Sequence, residues 1–228
     1  MTDTQASGLI VSGTRIALPE ALGRLLRERP ARRLGEQCEM CSEVITNEHA
    51  HVVDIAGRSI MCCCRACGLL FTDAGAANGR YRTVPDRWLH DPSLALRPED
   101  WDQFAIPVRV AFFFRNSVQG RIVALYPGPG GATESELPLD AWERVLARTL
   151  LGRLLAPDVE ALIVDRDGRD AGAISCHLVP IDACYELVGR LRMSWVGFDG
   201  GTEAHEEIER FFAALRDRSR AAIDDGAA

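Results

Sequence analysis

Four short apolar stretches in the second half of the chain are rich in β-branched and aromatic residues, a pattern typical of β-strands. Polar or glycine-containing connections too short for a helical crossover join them in two pairs. Such connections favour antiparallel hairpins. The predicted strands are 108–114 with 121–126, and 159–164 with 174–179, with Asp167-Gly168 near the second turn.

Apolar residues also recur every three or four positions, as expected of amphipathic helices. After Thr202, a candidate N-cap, the spacing i, i+3, i+4, i+7 predicts a helix. Asp182 is the predicted cap of an earlier helix, and Asp140, followed by Glu143, of another. A short helix is predicted over 19–29. The apolar positions of the last two helices in the chain are Cys184, Leu187, Val188, Leu191, Ile208, Phe211, Phe212 and Leu215.

The order of these elements predicts an α+β fold, with a mainly antiparallel sheet and helices packed on one face. It is compatible with a duplicated ββα unit. A small cysteine-rich module precedes this domain. The predicted organisation is an N-terminal segment with a short helix (1–34), a four-cysteine module (35–72), a linker and irregular segment (73–106), the α+β domain (107–220) and a disordered tail (221–228).

Composition narrows the class of protein. The 228 residues are 47% hydrophobic and 26% charged, as in ordinary globular proteins. A net charge of −7 argues against a nucleic-acid partner, because phosphate contacts need clustered cations. No signal peptide and no run of about 20 apolar residues is apparent, so no membrane span is predicted. We expect a cytoplasmic protein, in which cysteines serve as metal ligands or buried thiols rather than disulfides.

Two Cys-x-x-Cys knuckles carry the strongest chemical signal. Cys38 with Cys41 and Cys64 with Cys67 are separated by residues 42–63, enough for one hairpin. This spacing is typical of a four-thiolate site in a zinc ribbon, a treble-clef finger or a rubredoxin. The sequence therefore predicts a metal site with these four ligands. Zinc is the expected metal because a closed four-thiolate site most often holds it, and iron is the alternative.

Three further residues stand beside the knuckles. Cys62 lies on the same side of a predicted strand as Cys64, so Cys62 is a candidate additional ligand, and Cys63 points the other way. The alternative interpretation is that Cys62 and Cys63 are small, buried hydrophobic residues that bind no metal. His51, with His49 on the same side of the preceding strand, can bind the metal, hydrogen-bond a thiolate or remain a solvated polar residue.

No catalytic constellation stands out elsewhere, which argues against an enzyme. Cys176 and His177 are adjacent, so on a strand they face opposite ways and cannot form a nucleophile–base pair. A group of Asp182, His177 and Cys184 is one conceivable arrangement. The glycine-rich stretch 127–131 follows a strand and precedes a helix, but it lacks the ending of a P-loop and is interpreted as a shaped connection or docking loop.

Several segments together with the knuckles resemble an uncharacterised bacterial family whose genes lie beside those of NiFe hydrogenases. The resemblance covers residues 30–216. It implies a role in hydrogenase assembly, maturation or electron transfer, with hydrogenase subunits or maturation factors as partners. The segments that carry it include Ile106-Pro107-Val108, Tyr126-Pro127-Gly128-Pro129, Ala132-Thr133-Glu134, Pro180-Ile181-Asp182 and Phe211-Phe212.

The cysteine module alone resembles the treble-clef frame of HNH endonucleases. The match comprises both knuckles, His49-Ala50-His51, Asp54 and Gly57. Those enzymes need an Asp-His pair on the hairpin, whereas Ile55 follows Asp54 here. Our main hypothesis is a zinc-binding accessory protein for hydrogenases. The alternatives are a rubredoxin-like iron redox protein and, further, a divergent HNH-like nuclease or a thiol-dependent enzyme acting through Cys62 or Cys184.

Overall fold

A computed structural model gives the structure of the protein. It describes residues 9–11, 14–16, 35–94, 96–135, 141, 144–166, 174–197 and 200–223. The predicted helix over 19–29, the caps Asp140 and Glu143, and the turn at Asp167-Gly168 lie outside these residues. The chain divides into two compact units, Met1–Glu36 and Gln37–Ala228. In the first unit, strands β1 (Leu9–Val11) and β2 (Thr14–Ile16) pair antiparallel.

The second unit holds the cysteine-rich module and the α+β domain together. Its strands are β3 (Ala50–Asp54), β4 (Ser59–Cys63), β5 (Tyr81–Thr83), β6 (Leu89–His90), β7 (Val110–Asn116), β8 (Arg121–Gly128), β9 (Gly131–Ser135), β10 (Glu160–Asp165), β11 (Ser175–Pro180) and β12 (Arg220–Ala221). Its helices are α1 (Arg65–Leu69), α2 (Pro98–Asp102), α3 (Leu150–Leu154), α4 (Ile181–Ser194) and α5 (Gly201–Arg218), besides a 3-10 turn at Ala76–Gly79. No helix in the described residues has the length and apolar character to cross a bilayer.

The α+β prediction is confirmed by a seven-stranded sheet in the order β12-β6-β11-β10-β7-β8-β9. Neighbouring strands are antiparallel except for β12, which runs parallel to β6. Both predicted strand pairs are present, as β7 with β8 and β10 with β11. The two hairpins lie side by side because β10 also pairs with β7.

Alternate residues of the central strands fill two separate cores. Phe112 and Ile163 face the long helices α4 and α5, which contribute Leu187 and Phe212. Their neighbours Phe113 and Leu162 face the opposite side, where Trp101 of α2 and Leu151 of α3 cover the sheet. The long helices thus share one face, as predicted, and short helices close the other. This alternation follows from the two-residue period of a strand.

The segment 73–106, predicted to be an irregular linker, contributes structure to both sheets. Strand β5 pairs with β3 in the module, and β6 pairs with β11 in the large sheet. Trp101 and Phe104 are almost completely buried. The buried residues are spaced too widely to produce a periodic signal. Ala221, assigned to the predicted tail, lies in β12 beside β6.

The stretch 127–131 is a hairpin and not a connection to a helix. Gly128 at the end of β8 faces Gly131 at the start of β9, with Pro129 and Gly130 at the turn. Gly131 has a φ of 118°, which a residue without a side chain adopts readily. The resulting third strand, β9, interrupts the predicted ββα order, so the first half of the sheet is a three-stranded meander and does not mirror the second.

Strands β4, β3 and β5 form a second, three-stranded sheet. The two faces of its hairpin β3–β4 pack into different cores. Val52 and Cys63 point into a small core of the cysteine module. Val53 points the other way, into the core shared with α4, and Ile60 packs against that same core. The hairpin therefore joins the module to the α+β domain.

Candidate metal centre

The first knuckle is a tight turn between Gln37 and Val44, which form an isolated bridge. The Cys38 N–H donates to the carbonyl of Glu43 at 2.7 Å, and the Ser42 N–H donates to the carbonyl of Cys38 at 2.8 Å. Ser42 adopts a left-handed conformation, with φ of 63°. These bonds fold the chain back on itself, so that Cys38 and Cys41 lie on the same side of the turn.

The second knuckle begins helix α1. Cys64 is its N-cap, and the Cys64 Sγ accepts a hydrogen bond from the Cys67 N–H at 3.4 Å. Gly68 follows because α1 lies against β3: a Cβ at this position would be 2.8 Å from the Cβ of Ala50. Gly68 lies within α1, and this close packing is the reason for a glycine.

These two turns bring the four predicted ligands together. The four sulfur atoms, those of Cys38, Cys41, Cys64 and Cys67, all lie within 4.8 Å of one another. The Cys41 and Cys64 sulfurs are 3.7 Å apart. A tetrahedral zinc ion with Zn–S bonds of about 2.3 Å requires sulfur–sulfur distances of about 3.8 Å. The geometry of the four-cysteine site therefore fits a tetrahedral thiolate-bound ion.

Backbone N–H groups prepare the site for negative charge. Burial opposes ionisation of Cys38, but N–H groups of Cys64, Cys41 and Met40 direct their dipoles at its sulfur and lower its pKa to about 6. The neighbouring thiols act in the opposite sense on Cys67, whose pKa is raised. Four thiolates within one small volume repel one another, so a cation is needed for all four to ionise.

Cys63 is not part of this arrangement. Its side chain is completely buried in the module core, and burial raises the pKa of its thiol to about 12. Cys63 is therefore a small hydrophobic residue, the second of the two interpretations drawn from the sequence. Cys62 is only partly buried, and it lies on the opposite face of the hairpin from Cys63.

Cys62 and His51 lie on the hairpin face that turns toward α4. They are direct cross-strand partners. The N–H and carbonyl of Cys62 bond to Glu39 instead of β3, so this is a non-hydrogen-bonded pair, in which side chains approach closely. Together with His49, they offer two imidazole nitrogens and a sulfur within 4.8 Å of one another. We call His49, His51 and Cys62 the His–Cys cluster.

The arrangement of knuckle, hairpin and knuckle lies inside a segment that matches a known sequence family. The model of DUF5947, a family of unknown function, matches residues 37–219. The chain belongs to the DUF5947 family. The match begins just before the first knuckle and ends just after α5, so the family unites the module and the α+β domain. Neither curated proteins nor solved structures gave a match.

The catalytic alternatives find little support in this DUF5947 chain. Asp54, the aspartate of the HNH-like match, accepts hydrogen bonds from Arg80 and the Gly57 N–H, which lower its pKa. It holds the hairpin turn. Cys184 is completely buried, and burial raises its thiol pKa well above the usual value, so it is a poor nucleophile.

Asp182, His177 and Cys184 do not form a catalytic group, because the aspartate and the histidine contact other residues. His177 Nδ1 lies 3.2 Å from the Ser219 hydroxyl. Asp182 Oδ2 instead lies 2.6 Å from His51 Nδ1. Asp182 also differs from its predicted role: α4 begins at Ile181, so Asp182 stands in the first turn, where its other oxygen accepts a hydrogen bond from the Ala183 N–H.

A cleft of about 370 Å³ opens where the hairpin meets the sheet and α4. Val53 and Ile60 form its apolar wall on the hairpin side, and Tyr185 and Arg58 bring polar groups to it. The residues on the side of the large sheet are Phe114, Asn116 and Asp158, with Ile181 from α4. The cleft lies on the same hairpin face as His51 and Cys62.

The sequence pattern grouped His49 with His51 and indicated His51 as an additional ligand, but it did not indicate that Asp182 contacts His51. The sequence does indicate a role for His49. Residues two apart on a strand share a face, so His49 lies beside His51, and the register of the hairpin pairs His51 with Cys62. No sequence signal connects Asp182, which reaches His51 only because α4 packs on the hairpin.

Proposed function

We propose that this DUF5947 chain is a zinc protein whose four-cysteine site fixes the hairpin module on the α+β domain. We propose further that the protein works with a protein partner. The observation that carries the proposal is the convergence of the four sulfurs at distances suited to a tetrahedral ion. Four thiolates favour zinc among the common divalent ions, and a closed site without an open position serves structure. The helix that begins at the second knuckle favours a treble-clef frame over a ribbon.

The module itself argues for a structural ion. Apart from Cys38 and Cys63, only Ile45 and Val52 are buried in its core. So small a core does not offset the chain entropy lost on folding, and small domains of this kind depend on a metal. The proposed zinc supplies the missing free energy.

The identity of the metal is tested on freshly purified, untagged protein by elemental analysis with an absorption spectrum. We expect a colourless protein containing zinc. The Cys41→Ser/Cys67→Ser variant removes one cysteine from each knuckle and is expected to lose the four-thiolate spectrum that cobalt substitution gives the wild type. Cys62→Ser is the matched control and keeps that spectrum. A red protein with thiolate-to-iron absorption would replace the proposal with the rubredoxin-like alternative.

The partner proposed for this module is a NiFe hydrogenase subunit or maturation factor, and the support is the family resemblance described above. Co-purification of the untagged protein with hydrogenase subunits from native extracts is the expected result. Unchanged hydrogenase processing and activity in a deletion strain would contradict this part of the proposal, and it would leave the zinc site unaffected.

A further inference from the structure

The His–Cys cluster has the chemistry of a metal site of its own. Two imidazoles and one thiolate are the donors that zinc and related borderline ions accept. In the cluster, one donor atom from each residue lies within 4.8 Å of the other two, a spacing that one ion can bridge. From this geometry we propose that His49, His51 and Cys62 form a second metal site, separate from the four-cysteine site.

The two sites lie on opposite faces of one hairpin. His51 and Cys62 share the face of Val53, which packs into the core beneath α4. Val52 and Cys63 share the other face, in the core of the cysteine module beside Cys38. Because alternate residues of a strand point to opposite sides, Cys62 does not belong to the four-cysteine site.

Hydrogen bonds orient both histidines for binding. The Nδ1–H of His49 donates to the carbonyl of Thr46 at 2.9 Å, and the Nδ1–H of His51 donates to Asp182 Oδ2 at 2.6 Å. Each bond leaves the lone pair on Nε2, so Nε2 is the ring nitrogen available to a metal. Among the described residues, the Nε2 of His49 is buried and has no hydrogen-bond partner. A buried acceptor without a partner is costly, and a metal ion satisfies it.

Asp182 completes the arrangement as a positioning residue. A carboxylate behind a metal-binding histidine fixes the tautomer and ring orientation and increases the basicity of the ligand. It also balances charge, because a divalent ion with one thiolate and two neutral imidazoles keeps one positive charge, which the Asp182 carboxylate neutralises. The side chain stays in place because its other oxygen accepts the Ala183 N–H of α4.

Three protein donors leave a fourth position open. Closed structural zinc sites have four protein ligands, whereas sites that bind water or an added ligand have three. The second site therefore differs from the first in function as well as in composition: it accepts a water molecule or a small donor ligand. The cleft of about 370 Å³ lies farther along the same hairpin face.

Metal stoichiometry separates the two sites. Untagged wild-type protein, dialysed against metal-free buffer after zinc loading, is expected to retain two zinc ions per chain. Cys62→Ser and His49→Gln are each expected to retain one, with the four-thiolate cobalt spectrum unchanged. The control His205→Gln alters an exposed histidine of α5 and is expected to retain two.

The open position and the role of Asp182 have separate readouts. In cobalt-loaded protein, imidazole is expected to shift the spectrum of the second site and not that of the four-cysteine site. Asp182→Asn keeps the size of the side chain. We expect it to lower the affinity of the second site for metal by about 10- to 100-fold and to leave the far-ultraviolet circular dichroism spectrum unchanged. One zinc ion in the wild type, or two in His49→Gln, would overturn the proposal. Loss of the four-thiolate spectrum in Cys62→Ser would show that the sites are not separate.

Discussion

The cysteine module and the α+β domain of the second unit are stabilised in different ways. The seven-stranded sheet is covered on both faces, by α4 and α5 on one side and by α2, α3 and their flanking segments on the other. The module has a core of four buried residues, two of them cysteines. A domain with two large cores folds by burying apolar surface, whereas a module with almost none needs the proposed ion. The predictions below test this difference.

Loss of the four-cysteine site has the largest expected effect, and the effect is confined to the module. Structural zinc contributes about 10–16 kcal/mol of binding free energy in small fingers. In Cys41→Ser/Cys67→Ser we therefore expect amide protection to disappear from α1 and the knuckles and to persist in β7 and β10. Hydrogen exchange measures both regions in one sample. Equal protection of the module in variant and wild type would contradict the comparison.

An ion pair between half-buried Arg87 and a fully buried carboxylate ties the segment 73–106 to the α+β domain. Arg87 binds Glu160 through two nitrogens at 2.7 and 2.6 Å, and Glu160 is completely buried. Arg87→Met leaves that carboxylate unpaired, and we expect the free energy of unfolding to fall by about 3–5 kcal/mol in urea titrations. Arg87→Met/Glu160→Gln should recover part of the loss, since no charge remains buried. Arg210→Met, which breaks an exposed pair with Glu207, should cost less than about 1 kcal/mol.

Acid should destabilise the α+β domain through His177. Burial, with nearby His90 and Arg216, lowers the pKa of this residue to about 4. The unfolded chain, with a histidine pKa of about 6.5, binds more protons between those values. The free energy of unfolding therefore falls as pH decreases through this window, by about 3 kcal/mol in all.

This acid sensitivity is measured by urea unfolding at pH 7 and pH 4.5 in wild type and His177→Gln. The variant should lose less stability between the two pH values than the wild type. Any acid release of metal is common to both proteins and cancels in the difference. His205→Gln, at an exposed position of α5, should behave like the wild type. An unchanged pH dependence in His177→Gln would contradict the assignment.

The smallest expected effect concerns the contact of α1 with β3. Gly68→Ala places a methyl group 2.8 Å from the Cβ of Ala50, and overpacking of this kind costs about 1–3 kcal/mol. We expect faster metal loss to a chelator, because α1 carries the second knuckle. Ala50→Gly in the same chain should restore the wild-type rate. Gly189→Ala, on an open surface of α4, should leave metal release unchanged and stabilise the helix by about 0.5–1 kcal/mol.

Local patterns predicted much of this fold. The continuous apolar runs of β7, β8, β10 and β11 and the helical spacing in α4 and α5 were sufficient to place these elements, because the strands are apolar on both faces and each helix has a strong apolar face. Strands β6 and β12 are two residues long and β9 is largely exposed, so their sequences carry no comparable signal. Their existence depends on neighbouring strands that offer unpaired backbone groups.

The sequence by itself determined the four-cysteine site. Each Cys-x-x-Cys knuckle is a local turn, and one hairpin between them suffices to bring four sulfurs together. Only the tertiary structure decided what surrounds that site. The register of β3 against β4 places Cys62 beside His51 and away from the four sulfurs, and the packing of α4 on the hairpin brings Asp182 to His51. Short-range turns are encoded by adjacent residues, whereas contacts between distant segments follow from how their apolar faces pack.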